Sequence, residues 1–89
     1  MKIKFEINQE VVFSTGHLRQ EAYDWIASSD LAYIDDRNHL RVLAYGQEGF
    51  VSPYIELSRI IILAQKKKIK WVLFDPDGPV YPTFEFFDW

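Results

Sequence analysis

The sequence contains no cysteine, which excludes disulfides, thiolate zinc sites and a cysteine nucleophile. That absence also fits a reducing compartment. No apolar run approaches the roughly 20 residues of a membrane span, and the opening MKIKFEINQE has no signal-peptide apolar core. A cytoplasmic protein with no membrane attachment is the expectation. Positive charge is scarce as well: 10 Lys and Arg stand against 13 Asp and Glu, for a net charge of −3. Such a balance makes nucleic acid an unlikely partner, because a general binder carries basic surface that displaces phosphate counterions. It is also too mild a charge for a mimic of the DNA backbone. Repeats, low-complexity stretches and linkers are all missing.

What is present is apolar bulk. The 89 residues read as a single domain over 1–89, 48% apolar and 17% aromatic, with seven Phe, five Tyr and three Trp. A chain of this size buries only about 60–65% of its unfolded surface, so large side chains must supply much of the packing. Charge is unevenly spread. KKKIK at 66–70 is basic, whereas Asp75, Asp77, Glu85 and Asp88 make residues 75–89 acidic.

Periodicity gives the elements. Lys2 to Ile7 alternates polar and apolar, the pattern of a strand with one buried face, and Val11 to Phe13 is rich in β-formers. Ser14-Thr15-Gly16-His17 follows, with hydroxyls suited to capping a helix. Leu18, Ala22, Trp25 and Ile26 form one helical stripe that ends at Ser28-Ser29-Asp30. Leu31 to Ile34 and Leu40 to Tyr45 read as strands joined by Asp35-Asp36-Arg37-Asn38, a hairpin. Ser52-Pro53 opens a second helix with Ser as cap and Pro at the first helical position. That helix carries Leu57, Ile60, Ile61 and Ala64 inward and closes on the lysines. Ile69 to Phe74 is apolar enough for a central strand, and Thr83 to Phe87 suits a short last one. The resulting fold class is α+β: a ferredoxin-like β-α-β-β-α-β order in a mostly antiparallel sheet, two helices on one face, and an extra strand at each end. In that plan strands 10–14 and 69–74 are antiparallel neighbours, with their C-terminal ends at opposite edges.

Trp71 to Val80, WVLFDPDGPV, resembles the nucleophile strand of haloacid-dehalogenase-like phosphatases, whose paired acids attack phosphorus and move a proton. Those enzymes also need a downstream lysine and further acids, yet no lysine follows Gly78, and Pro79 stands where Thr or Val is usual. A strand ending in a tight turn explains Asp75-Pro76-Asp77-Gly78 without chemistry. Ser14, Thr15 and His17 offer a nucleophile beside a base, and a small hydrolase using His17 with Asp75 and Asp77 is the enzymatic alternative. The antiparallel plan separates those groups by a strand length. His39, beside the hairpin turn, lacks metal-ligand spacing, so neither a metal site nor a cofactor is expected. The lysine run offsets the negative end of the helix dipole and also offers contact to phosphates or an acidic partner. The C-terminus, YPTFEFFDW, places aromatics on both faces of an extended segment, where one row enters the core and the other suits contact with a partner.

With FSTGHL, the central hairpin and WVLFDPDGPV followed by FDW, the chain resembles a small uncharacterised family of bacterial proteins often borne on plasmids and phages. The resemblance spans about residues 11–89 and leaves the first strand as an addition. That family carries no established activity, so it implies no catalytic residues. It implies context: small proteins of mobile elements often bind and disable host machinery, restriction and CRISPR systems included. The expectation is therefore a non-enzymatic protein-binding module, acting through Glu85, Phe86, Phe87, Asp88 and Trp89. A structural or homodimerising domain is the third option.

Overall fold

A computed structural model describes residues 9–47, 49–87 and 89. The anticipated strand at Lys2–Ile7, and Asp88, lie outside the described residues. The elements run β1 (Glu10–Ser14), a short 3₁₀ turn (Thr15–His17), α1 (Gln20–Ala27), β2 (Ala32–Ile34), β3 (Leu40–Leu43), α2 (Ile55–Lys66) and β4 (Trp71–Asp75). The class is α+β, in the expected β-α-β-β-α-β order.

The four strands form one sheet in the order β1-β4-β3-β2. Phe13, Leu40, Val42, Val72 and Phe74 share a core with Ala22 and Ile26 of α1 and with Leu57, Ile60, Ile61 and Ala64 of α2. Both helices thus cover one face, as the two apolar stripes require. Trp-Val-Leu-Phe is apolar throughout because β4 lies between β1 and β3 and is covered on both sides, Leu73 being 5% exposed on the face without helices.

One pairing corrects the expected plan. β1 and β4 are parallel, Glu10 opposite Trp71 through to Ser14 opposite Asp75, whereas β3 with β4 and β2 with β3 are antiparallel. Alternation of side chains is identical in both directions, so the strand pattern carries no sign of which way a neighbour runs. The C-terminal ends of β1 and β4 therefore meet at one edge.

Local chemistry shifts several boundaries. Leu18 is buried but extended (φ −115°, ψ 140°), and α1 begins after it. Ser28 and Ser29 end α1 by returning their hydroxyls to the carbonyls of Asp24 and Ile26. Ser52 does not cap α2. Its Oγ accepts the Tyr54 N–H at 2.9 Å in a local turn, so the helix starts at Ile55, beyond Pro53. At the other end, Ile69 N–H reaches the Ala64 carbonyl and Lys68 N–H the Gln65 carbonyl, with Lys68 at φ 57°. These two bonds make a Schellman cap with lysine where glycine is usual. The expected strand at Thr83–Phe87 is not a strand. Its polar groups turn instead to the Thr15–His17 region, Glu85 O to the His17 ring and Phe87 N–H to Gly16 O.

Candidate functional site

The parallel pairing brings the STGH and DPDG turns together. Ser14 Oγ accepts the Gly16 N–H at 3.2 Å and so caps the 3₁₀ turn rather than α1, whose cap position is Arg19 with no side-chain cap bond, and Ser14 N–H donates to Pro79 O at 2.9 Å. In the second turn Asp75 Oδ1 accepts the Asp77 N–H and the Asp75 carbonyl accepts the Gly78 N–H, each at 2.9 Å. Asp75 to Gly78 is therefore the tight turn that ends the strand. Gly78 is required because a Cβ there would stand 2.8 Å from Phe13 O, a backbone atom that cannot swing aside.

His17 is 1% exposed at the centre of this junction. Nε2 accepts the Tyr81 N–H at 2.8 Å, so the ring proton is assigned to Nδ1, which donates to Glu85 O at 2.7 Å. Phe13, Tyr81, Phe84 and Phe86 surround the ring at centroid distances of 5.0–6.2 Å from one another or from it. Both nitrogens hold the C-terminal segment against the 3₁₀ turn. Asp75 does not bind His17; its Oδ2 lies 3.1 Å from Nε2 of His39. Asp77 sits exposed in its turn. The two turns lie at one edge, not at opposite edges, yet the ring nitrogens of His17 are committed to main-chain partners and the three groups form no hydrogen-bonded relay.

A second cluster crosses the face free of helices. His39 lies between Asp75 and Asp35, with Nδ1 3.9 Å from Asp35 Oδ2. Arg41 joins Asp35 at 3.5 Å, pairs with Glu10, and stacks at 5.6 Å over Trp71. Asp35 Oδ1 also accepts the N–H groups of Arg37 and His39. This row ties the hairpin to β4 and β1. Only the β3–β4 register aligns Asp75 with His39, so periodicity within single strands does not reveal it. Among the described residues, no group of three or more His, Asp or Glu side chains is arranged to hold a metal ion.

The third arrangement is a belt of aromatic rings around Arg19. Glu56, 5% exposed, receives the backbone N–H and Nε of Arg19 on Oε2, at 3.2 and 2.7 Å. This bond and charge raise the guanidinium pKa above its ordinary value. Held there, the guanidinium lies 5.4 Å from the Phe87 ring and 5.8 Å from that of Tyr54. Tyr54 meets Trp25, and Trp25 meets Phe50, edge to face. Trp89 packs on Tyr23 and donates Nε1–H to Leu18 O at 2.6 Å. Burial, followed by the charge of Asp24, raises the Tyr23 pKa above its usual value. Of the anticipated binding residues, Phe87 is half-buried under Arg19, Glu85 serves His17 through its carbonyl, and Phe86 and Trp89 remain 52% and 53% exposed. Arg19, Trp25, Phe50 and Tyr54 were not foreseen as surface partners of that tail, because their convergence depends on how α1 and the start of α2 pack.

No helix among the described residues is long and apolar enough to cross a membrane. Residues 10–89 match a family described as the family of unknown function (DUF5983) C-terminal domain, and the chain belongs to that family. No curated protein and no solved structure matched the chain.

Proposed function

We propose that this member of a family of unknown function is a non-enzymatic module that binds a protein partner through the aromatic belt around Arg19. The carrying observation is the unbroken run Phe87–Arg19–Tyr54–Trp25–Phe50, edged by exposed Phe86 and Trp89 and by Val51 and Ile55, 81% and 66% exposed. Aromatic side chains and arginine are the residue types that concentrate binding energy at interfaces. The rings are anchored before any partner arrives, so little side-chain entropy remains to be lost on association. Against the hydrolase alternative stands the engagement of both His17 nitrogens by Tyr81 and Glu85. A concrete form of the reading, resting on the resemblance to proteins of plasmids and phages, is an inhibitor of a host defence system.

The test leaves the anchored tail in place. Val51→Glu/Ile55→Glu alters only strongly exposed side chains, and its unfolding free energy stays within about 1 kcal/mol of the parent. Affinity capture from host cells with the parent protein retains a specific partner, and the double variant loses it. Equal capture by both proteins overturns the reading. For the defence-inhibitor form, the same pair is compared for rescue of phage or plasmid entry into a restricting host. No rescue by the parent removes that form.

A further inference from the structure

A different surface carries an independent assignment. The C-terminal half of α2, strand β1 and residues 81–84 border a half-open apolar cavity of about 190 Å³, lined by Val11, Phe13, Leu63, Ile69, Tyr81 and Phe84, with Lys67 at its wall. Leu63 and Phe84 also line a neighbouring hollow bounded by Arg59, Ile62 and Lys66. The two form one groove along the flank of α2. Arg59, Lys66 and Lys67 are exposed, and among the described residues they have no ion-pair partner and no carboxylate lines either hollow. The Arg59 guanidinium is set 6.0 Å from the Phe84 ring.

This composition runs against the rest of the molecule. The chain carries a net charge of −3, yet among the described residues the only charged side chains lining this mostly apolar groove are cations. Beyond offsetting the helix dipole, for which the last turn suffices, Arg59 lies two turns back from Lys66, about 10 Å along the axis. Unpaired cations at that spacing along one wall, beside an apolar hollow, complement carboxylates next to an apolar anchor.

We infer that the groove between α2 and residues 81–84 is a docking site for an acidic peptide segment that seats one phenylalanine or leucine in the cavity and sets its carboxylates against Arg59, Lys66 and Lys67. The anchor supplies burial and the charges supply orientation and rate of encounter. The groove shares no lining residue with the aromatic belt, so it stands or falls without that reading.

The probe is a fluorescein-labelled peptide of about twelve residues, a central phenylalanine among aspartates and glutamates, followed by anisotropy against the full chain. Arg59→Glu/Lys66→Glu/Lys67→Glu should weaken binding by about tenfold or more, and so should replacing the peptide's phenylalanine with alanine. Affinity should also fall as salt rises from roughly 0.05 to 0.3 M. Circular dichroism melts confirm that the triple variant is folded. A single Leu63→Trp change, which fills the cavity and leaves the charge of every cation untouched, provides a second measure and should reduce binding comparably. Several results overturn the inference: affinity equal to the parent's in the triple variant, affinity equal to the parent's in the Leu63→Trp variant, or equal affinity of the alanine peptide. Stronger binding of an oligothymidylate assigns the cations to nucleic acid instead. Peptide binding that appears only after removal of residues 1–8 shows that the chain's own start fills the groove. Concentration-dependent dimerisation that the triple variant abolishes assigns it to a second copy.

Discussion

At the scale of single residues, His17 illustrates how a catalytic residue type can be fully used in structure. Its ring bridges Tyr81 N–H and Glu85 C=O inside a cage of aromatic rings. His17→Ala removes the ring and strands one donor and one acceptor in a buried site. A loss of about 2–4 kcal/mol in urea unfolding is expected, from the cavity and the two unmade hydrogen bonds together. A change below about 1 kcal/mol would show that the ring is not the fastening between turn and tail. Gly16 tells the same story from the other side, since the Phe86 ring occupies the space a Cβ there would take. The glycine of STGH thus leaves room for the half-exposed Phe86 ring to lie against the turn. His39 is a contrasting residue, legible as a half-exposed histidine beside a turn, while its position between Asp35 and Asp75 became evident only with strand register.

At the scale of elements, the lysine run ends α2 in two ways. Lys66 in the last turn opposes the helix dipole, and Lys68 adopts φ 57° to complete the Schellman cap. The left-handed conformation is unfavourable for a residue with a Cβ. Lys68→Gly should therefore raise stability by about 0.5–1 kcal/mol, read as a higher urea midpoint with an unchanged slope. A lower midpoint would mean that the Lys68 side chain contributes more than its backbone costs. The hairpin is likewise local in origin. Asp35 gathers the N–H groups of Arg37 and His39, and Asn38 takes φ 63°, a conformation asparagine tolerates well. By contrast, Ser52-Pro53 carries a good helix-start signature, but its hydroxyl is spent two residues on and α2 begins later.

At the scale of the whole molecule, the C-terminal segment joins the two halves of the fold. Phe84 packs against the core, Glu85 accepts from His17, Phe87 bonds Gly16, and Trp89 bonds the Leu18 carbonyl. Deleting residues 84–89 is expected to cost at least about 3 kcal/mol and to broaden the unfolding transition, because several buried groups lose partners together. Retention of parent stability in the truncated chain would contradict this role. The deletion therefore cannot separate binding from folding, whereas substitutions at Val51 and Ile55 can.

The sequence by itself determined the α+β class, the order of elements, the hairpin, the turn at Asp75–Gly78 and the central place of the apolar strand, because each rests on a repeat of two or 3.6 residues or on local turn chemistry. It also marked the aromatic tail as unusual. The tertiary structure alone decided that β1 and β4 run parallel, that the tail folds onto the STGH turn, and that Arg19, Tyr54, Trp25 and Phe87 converge. Those outcomes are set by contacts between residues far apart in the chain. A strand's alternation reports which side chains are buried, and it is the same whichever direction the neighbouring strand takes.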